Sequence, residues 1–196
     1  LAIELAAARS GILSPQAILD RLSDPLALLT TGAADLPERQ RTIRATIQWS
    51  YDLLTPFEQQ LFDRLSVFVG GWTLDAAEAL LADFAQPGDV LDGLDSLAGK
   101  HLITRIELPS GDVRFRMLET IREFGLERLA ASGDGPAARD RHAGWVVQLV
   151  EQAALHIEGA EQVGWLARLE RDSDNIRAGL NWLLERRHAV LHEPFV

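Results

Sequence analysis

The stretch LITRIELPSGDVRFRMLETIREFGLERL, residues 102–129, changes its hydrophobic period within one unbroken run. Two alternating runs flank Pro109, Ser110, Gly111 and Asp112, a turn-forming set. In the second run Val113, Phe115 and Met117 face one way while Arg114 and Arg116 face the other, the pattern of a strand. This predicts a β-hairpin. Leu118, Ile121, Gly125 and Leu129 then follow at helical spacing, so the second strand runs straight into a helix and its last residues sit at a fixed junction.

Upstream, the punctuation is helical. TPFEQQLFDRLSVF, residues 55–68, opens with Thr55 as N-cap, Pro56 at the first helical position and Glu58 at N3, a complete capping box. Phe57, Leu61, Leu65 and Phe68 form its apolar stripe. After Gly70 and Gly71, Thr73 can cap a second helix with Leu74, Ala77, Leu81 and Phe84 at helical spacing, and Gln86-Pro87-Gly88 stops it. A third helix opens at Asp89, carries Val90, Leu94 and Leu97 on one face, and ends near Gly99 and Lys100. Three short helices followed by a hairpin is the order of a winged helix-turn-helix, in which the hairpin closes the core under the helices. Before it, RQRTIRATIQWSYDLL, residues 39–54, reads as helix, with Ile43, Ile47 and Leu54 sharing a face.

Downstream, Gly133 and Gly135 mark a break. Residues 137–157 then read as one long helix with Val146, Leu149, Val150 and Ala153 inward. WLARLERDSDNIRAGLNWLLERR, residues 165–187, reads as two helices joined by a short polar turn, Trp165, Leu166 and Leu169 opposite Ile176, Leu180 and Leu183. A helical hairpin buries only one side, so it suits the first turns of a solenoid. The expected fold class is mainly α: a winged helix-turn-helix with a β-hairpin wing, followed by solenoid-like helical hairpins. At the other end, Leu1 to Arg9 reads as a helix stopped at Gly11, Ser14-Pro15 as the start of another through about Leu22, and residues 23–37 as a connector with two prolines and a glycine. The chain begins without methionine inside a helix and reads as a piece of something longer.

Composition narrows the function classes. The 196 residues are 47% hydrophobic, enough to bury a real core. The formal charge of -10, from 29 acidic and 19 basic residues, opposes a nucleic acid or anionic membrane unless basic residues cluster. With no cysteine there are no disulfides or thiolate metal sites, which fits a cytoplasmic setting. Charge interrupts every apolar stretch before the roughly 20 residues that a membrane span needs.

The phrases WSYDLL, LFDRLSVF and GGWTLDAAE, at residues 49–54, 61–68 and 70–78, resemble the winged-helix region of NB-ARC signalling ATPases of the STAND class, above all its large bacterial transcriptional regulators. LAIELAAAR, residues 1–9, is similar to the helix after that family's Gly-Leu-Pro-Leu motif. The resemblance implies four pieces. Residues 1–31 would be the last helices of the ATPase module's helical subdomain, 32–50 a connector helix, 51–131 the winged-helix domain with its following helix, and 136–196 the start of a TPR-like region. It also implies a switch, in which a P-loop domain of the same chain holds ADP or ATP and the winged helix packs over it. The family's sensing motif, Met-His-Asp in many members, corresponds here to Met117, Leu118 and Glu119. Leucine cannot hydrogen-bond a phosphate, so the histidine contact does not carry over. No Gly-x-x-x-x-Gly-Lys-Ser/Thr run occurs in the sequence, so neither cofactor nor ATPase activity is expected of this piece.

Other candidates are weaker. A DNA-reading third helix would carry Asp89, Asp92 and Asp95 against a terminal Lys100, and carboxylates repel phosphates. Protein contact is the expected use, with DNA the alternative. Arg105, Arg114 and Arg116 on the wing form the one basic group to consider for DNA or an acidic partner. Glu119 and Glu123 share a helix face beside Arg122 but lack any nucleophile or cleft, so no catalytic residue is expected. His188 and His192, with Glu193, have ligand-like spacing without a second motif, so no metal is expected. His142 lacks a recognisable Ser or Cys partner and reads as packing, and the five tryptophans read as core or inter-repeat contacts.

Overall fold

The computed structural model describes residues 38–108 and 111–192, with side chains from Ile43 through Arg187 in those ranges. The expectations for residues 1–37, for Pro109 and Ser110 in the turn, and for the side chains of His188, His192 and Glu193 lie outside the described residues.

Helix α1 (Glu38–Asp52) leads into α2 (Pro56–Leu65). The capping box forms as its residue types dictate: the Glu58 N–H donates to Thr55 Oγ1 at 3.3 Å, and the Thr55 N–H donates to Glu58 Oε2 at 2.7 Å. A two-residue strand β1 (Trp72–Thr73) precedes α3 (Leu74–Leu81), which Thr73 caps through the Ala76 N–H. The third helix of the motif, α4 (Pro87–Gly99), begins two residues before the expected Asp89. Proline without an N–H suits N1, and the Asp89 carboxylate reaches back to the Gln86 N–H at 3.3 Å, so Asp89 is a capping residue and not the opening one.

The hairpin is β2 (Thr104–Glu107) and β3 (Val113–Arg116), antiparallel. β1 joins it as a third strand in the order β1-β3-β2, pairing Trp72 with Phe115 and Thr73 with Arg114. Two residues are too few to show a period of two, so the sequence gives no sign of this strand. Helix α5 (Glu119–Ser132) follows β3 after only Met117 and Leu118. It crosses α2 so closely that a Cβ on Gly125 would lie 2.8 Å from Ser66 Cβ.

Gly133, left-handed at φ 82°, ends α5, and α6 (Gly135–His156) begins after Asp134. Helices α7 (Gln162–Arg171) and α8 (Ser173–His192) complete the described chain, with Asp172 alone between them. The result is a mainly helical winged helix-turn-helix followed by helices. Its apolar core is continuous from Ile47 through the winged helix to Trp145, Val146 and Leu149 of α6. Phe68 anchors this continuity, stacked on Trp72 at 5.4 Å and edge-on to Trp145 at 5.5 Å.

Two expected faces are met in part. On α6 the buried stripe runs His142, Trp145, Val146, Leu149 and Ala153, which leaves Val150 42% exposed. On α8 the inward set includes Asn175, Gly179 and half-buried Ile176 and Trp182, and Ile176 packs on the core with Trp165 and Leu169 of α7 as expected, while Leu180 and Leu183 reach solvent, as does Leu166 of α7. A buried asparagine and a glycine set the face of α8, and an apolar pattern cannot register either.

Candidate functional site

The wing register separates the three arginines. Arg105 lies opposite Phe115, and Thr104 opposite Arg116. Cross-strand partners share a face, so Arg105 projects from the Phe115 side and Arg116 from the other. Both are exposed. Arg114 shares the Arg116 face by alternation, yet it is only 7% exposed, because the α7–α8 turn covers it. The expected single basic group is therefore two opposed cations and one buried one.

Around Arg114 the polar groups are closely satisfied. Its guanidinium meets Asp172 through both ends, Nη2 to Oδ1 at 2.7 Å and Nη1 to Oδ2 at 3.2 Å, and Nη2 also donates to the Gly71 carbonyl at 3.0 Å. Asn175 Nδ2 donates to the same carbonyl at 2.8 Å and to Asp172 Oδ1 at 3.2 Å, while its Oδ1 accepts from the Val69 N–H at 2.7 Å. His142 Nε2 lies 3.4 Å from Asn175 Oδ1, which places the proton on Nε2 as donor. Burial lowers the pKa of His142, against the opposing effects of Asn175 and Asp172. Gly71 is required by position: its φ is 115°, and a Cβ there would lie 2.6 Å from the Phe115 carbonyl oxygen.

The second polar cluster joins α2 to α4. Glu58 Oε1 accepts from Lys100 Nζ and from Ser96 Oγ, while Oε2 accepts the capping bond from Thr55. Burial alone would push the Glu58 carboxyl up, but these hydrogen bonds outweigh it and hold it at about 2. Lys100, the cation at the end of the third helix, is thus occupied within the fold. What α4 presents to solvent is Asp89, Asp92 and Asp95 with Leu91, which is 49% exposed. Beside them lies a groove of about 480 Å³ whose lining includes Asp89, Asp92 and the stacked rings of Phe57 and Phe84, 5.3 Å apart.

At the strand-to-helix junction, Met117 is buried, Leu118 is 45% exposed, and Glu119 is engaged by Arg122 at 2.7 and 3.0 Å. The hydrogen bond from Arg122 lowers the Glu119 pKa. Arg122 also donates to the Ser66 carbonyl at 3.3 Å, so Glu119 is part of an anchor of α5 to the end of α2. Glu123 is exposed and is not drawn into a shared site with it. His142, expected as packing, lies edge-on to Phe68 at 5.1 Å and is 3% exposed. Among the described residues, no group of three or more His, Cys, Asp or Glu is arranged to hold a metal ion, and no helix is long and apolar enough to cross a membrane. Asp172 and Asn175 were not singled out by sequence reasoning; Asp-Ser-Asp-Asn looked like an ordinary polar turn.

Residues 54–130 match the winged helix-turn-helix domain family. The chain is 40% identical over 189 residues to a Mycobacterium tuberculosis protein provisionally named HTH-type transcriptional regulator Rv0890c, and equally to its Mycobacterium bovis counterpart Mb0914c. It is 39% identical over 145 residues, 72% of its length, to an uncharacterized Mycobacterium tuberculosis protein, Rv0894, of which it covers 36%. No solved structure matches it. The first match takes in 96% of this chain but only 21% of the regulator, so the chain spans about a fifth of the length of that relative. The segment from residue 54 to residue 130 is thus a winged helix-turn-helix domain, in a chain homologous to a far longer protein provisionally named as a regulator.

Proposed function

We propose that this chain is a non-catalytic regulatory piece of a STAND-type ATPase transcriptional regulator, working in the cytoplasm, whose winged helix makes protein contacts in a nucleotide-dependent switch. The nucleotide-binding domain of the same protein would hold ADP or ATP and serve as the winged helix's partner, and the helices after the wing would meet further protein partners. The exposed face of α4 carries this reading: three aspartates and a leucine point outward while Lys100 is tied to Glu58. Such a face repels phosphates and suits a basic protein surface.

Direct DNA binding is the second reading. It draws on the name of the relative and on Arg105 and Arg116, exposed at the wing. Titrating the chain into labelled duplex at low and rising salt separates the two. Protein contact predicts no sequence-dependent affinity, and Arg105→Ala with Arg116→Ala changes nothing. Affinity with a steep salt slope that this double variant abolishes would replace the first reading by the second.

A further inference from the structure

The family match stops at residue 130, just before the break at Gly133 and Asp134, where a hinge between the winged helix and the later helices would be expected. The contacts across that break argue otherwise. Asp134 is pinned to Arg64 of α2 at 2.9 Å, Arg141 of α6 pairs with Asp83 just after α3, and Trp145 packs on Phe68. Farthest along the chain, the α7–α8 turn returns 58 residues to the wing, where Asp172 and Asn175 grip Arg114 and the Gly71 carbonyl.

We propose that the Arg114–Asp172–Asn175 cluster is a latch that makes the winged helix and helices α6–α8 one rigid body, so that any movement of the winged helix carries the later helices with it. The latch ties the α7–α8 turn to two backbone segments that the β1–β3 pairing already holds side by side, the Val69–Gly71 loop and strand β3. Arg114 and Asp172 are 9% and 3% exposed at their side chains, so water cannot replace a lost partner and the latch has no half-open state at low cost. The Asn175 amide holds one orientation because its oxygen meets two donors and its nitrogen two acceptors. The inference holds whether the winged helix meets protein or DNA.

Hydrogen exchange on the full 196-residue chain tests it, comparing amides of Ile176–Leu183 in α8 with those of Leu61–Leu65 in α2. One body predicts wild-type protection factors within about tenfold of each other. Asp172→Asn should lower protection in α8 by roughly tenfold or more, alone or together with α2, whereas Arg177→Ala, which breaks only an exposed pair with Asp174, should leave both unchanged. The latch is overturned if wild-type α8 exchanges more than about tenfold faster than α2, or if Asp172→Asn leaves both segments as they were. Should Asp172→Asn fail to fold, Asn175→Ala, which removes the bonds to Val69 and Gly71, is read in its place by the same two outcomes.

Discussion

The Glu58 cluster and the Arg114 cluster each bind a charged side chain to an oppositely charged one, but they sit in different solvents. Lys100 keeps 24% of its side chain in water, and Glu58, as buried as Arg114 at 9%, also accepts from Ser96 and Thr55, so it is not left bare without the lysine. Arg114 and Asp172 have almost no water, so each depends on the other. The first cluster is a reinforced helix cap and stiffens a domain from within. The second crosses from the wing to helices outside the family match, where burial turns an ordinary ion pair into a condition of assembly.

Removing one partner of each pair sharpens that contrast. Asp172→Ala strands a buried guanidinium and should cost about 3–5 kcal/mol of unfolding free energy, read by urea denaturation. Gly71→Ala attacks the same cluster through the backbone, forcing a Cβ against the Phe115 carbonyl at positive φ, and should cost about 2–3 kcal/mol in the same assay. Glu58→Gln keeps the shape of the cap but loses the charge, and should cost about 1–2 kcal/mol at neutral pH.

The two perturbed carboxyls of α2 should give opposite pH profiles. Glu58 is held at about 2 in the fold against 4.5 ordinarily, so its contribution is present above pH 4.5 and is lost as pH falls towards 2. Asp63 differs. Burial pushes it up to about 6, despite the Tyr51 hydroxyl at 3.0 Å and the nearby Arg128 charge, so its contribution is greatest below pH 4 and is lost as pH rises through 6. Thermal melts of Asp63→Asn should show a wild-type advantage that shrinks by about 1–2 kcal/mol between pH 4 and pH 7, with the opposite trend for Glu58→Gln. A flat difference for Asp63→Asn would mean that its carboxyl is hydrated and unshifted.

What the sequence disclosed follows the same division. Local chemistry was legible: Thr55, Pro56 and Glu58 announced α2, Thr73 capped α3, and the alternation from Val113 to Met117 located β3. The acidic face of α4 could also be read, since Asp89, Asp92 and Asp95 recur at helical spacing. Long-range polar pairing could not. Nothing near Arg114 distinguishes it from Arg116, and its partner lies 58 positions away in a stretch that resembles a solvent turn. Ile176 of α8 packs inward as its spacing predicts, but Leu180 and Leu183 do not, because Asn175 and Gly179 are buried for a hydrogen bond and for space, neither of which carries hydrophobicity. The solvent-exposed leucines at 180 and 183 fit an apolar period equally well.

The arrangement around Phe68 gives the molecule an optical reporter of its own. Trp72 and Trp145 are 1% and 8% exposed and share that ring from two sides of the residue 130 boundary, whereas Trp165 and Trp182 are only partly buried, under arginine side chains. Emission from the first pair belongs at the blue end of the tryptophan range and that from the second farther to the red. Any event that parts α6 from the winged helix would therefore shift the spectrum before it disturbs helix content, making the joint visible in unlabelled protein.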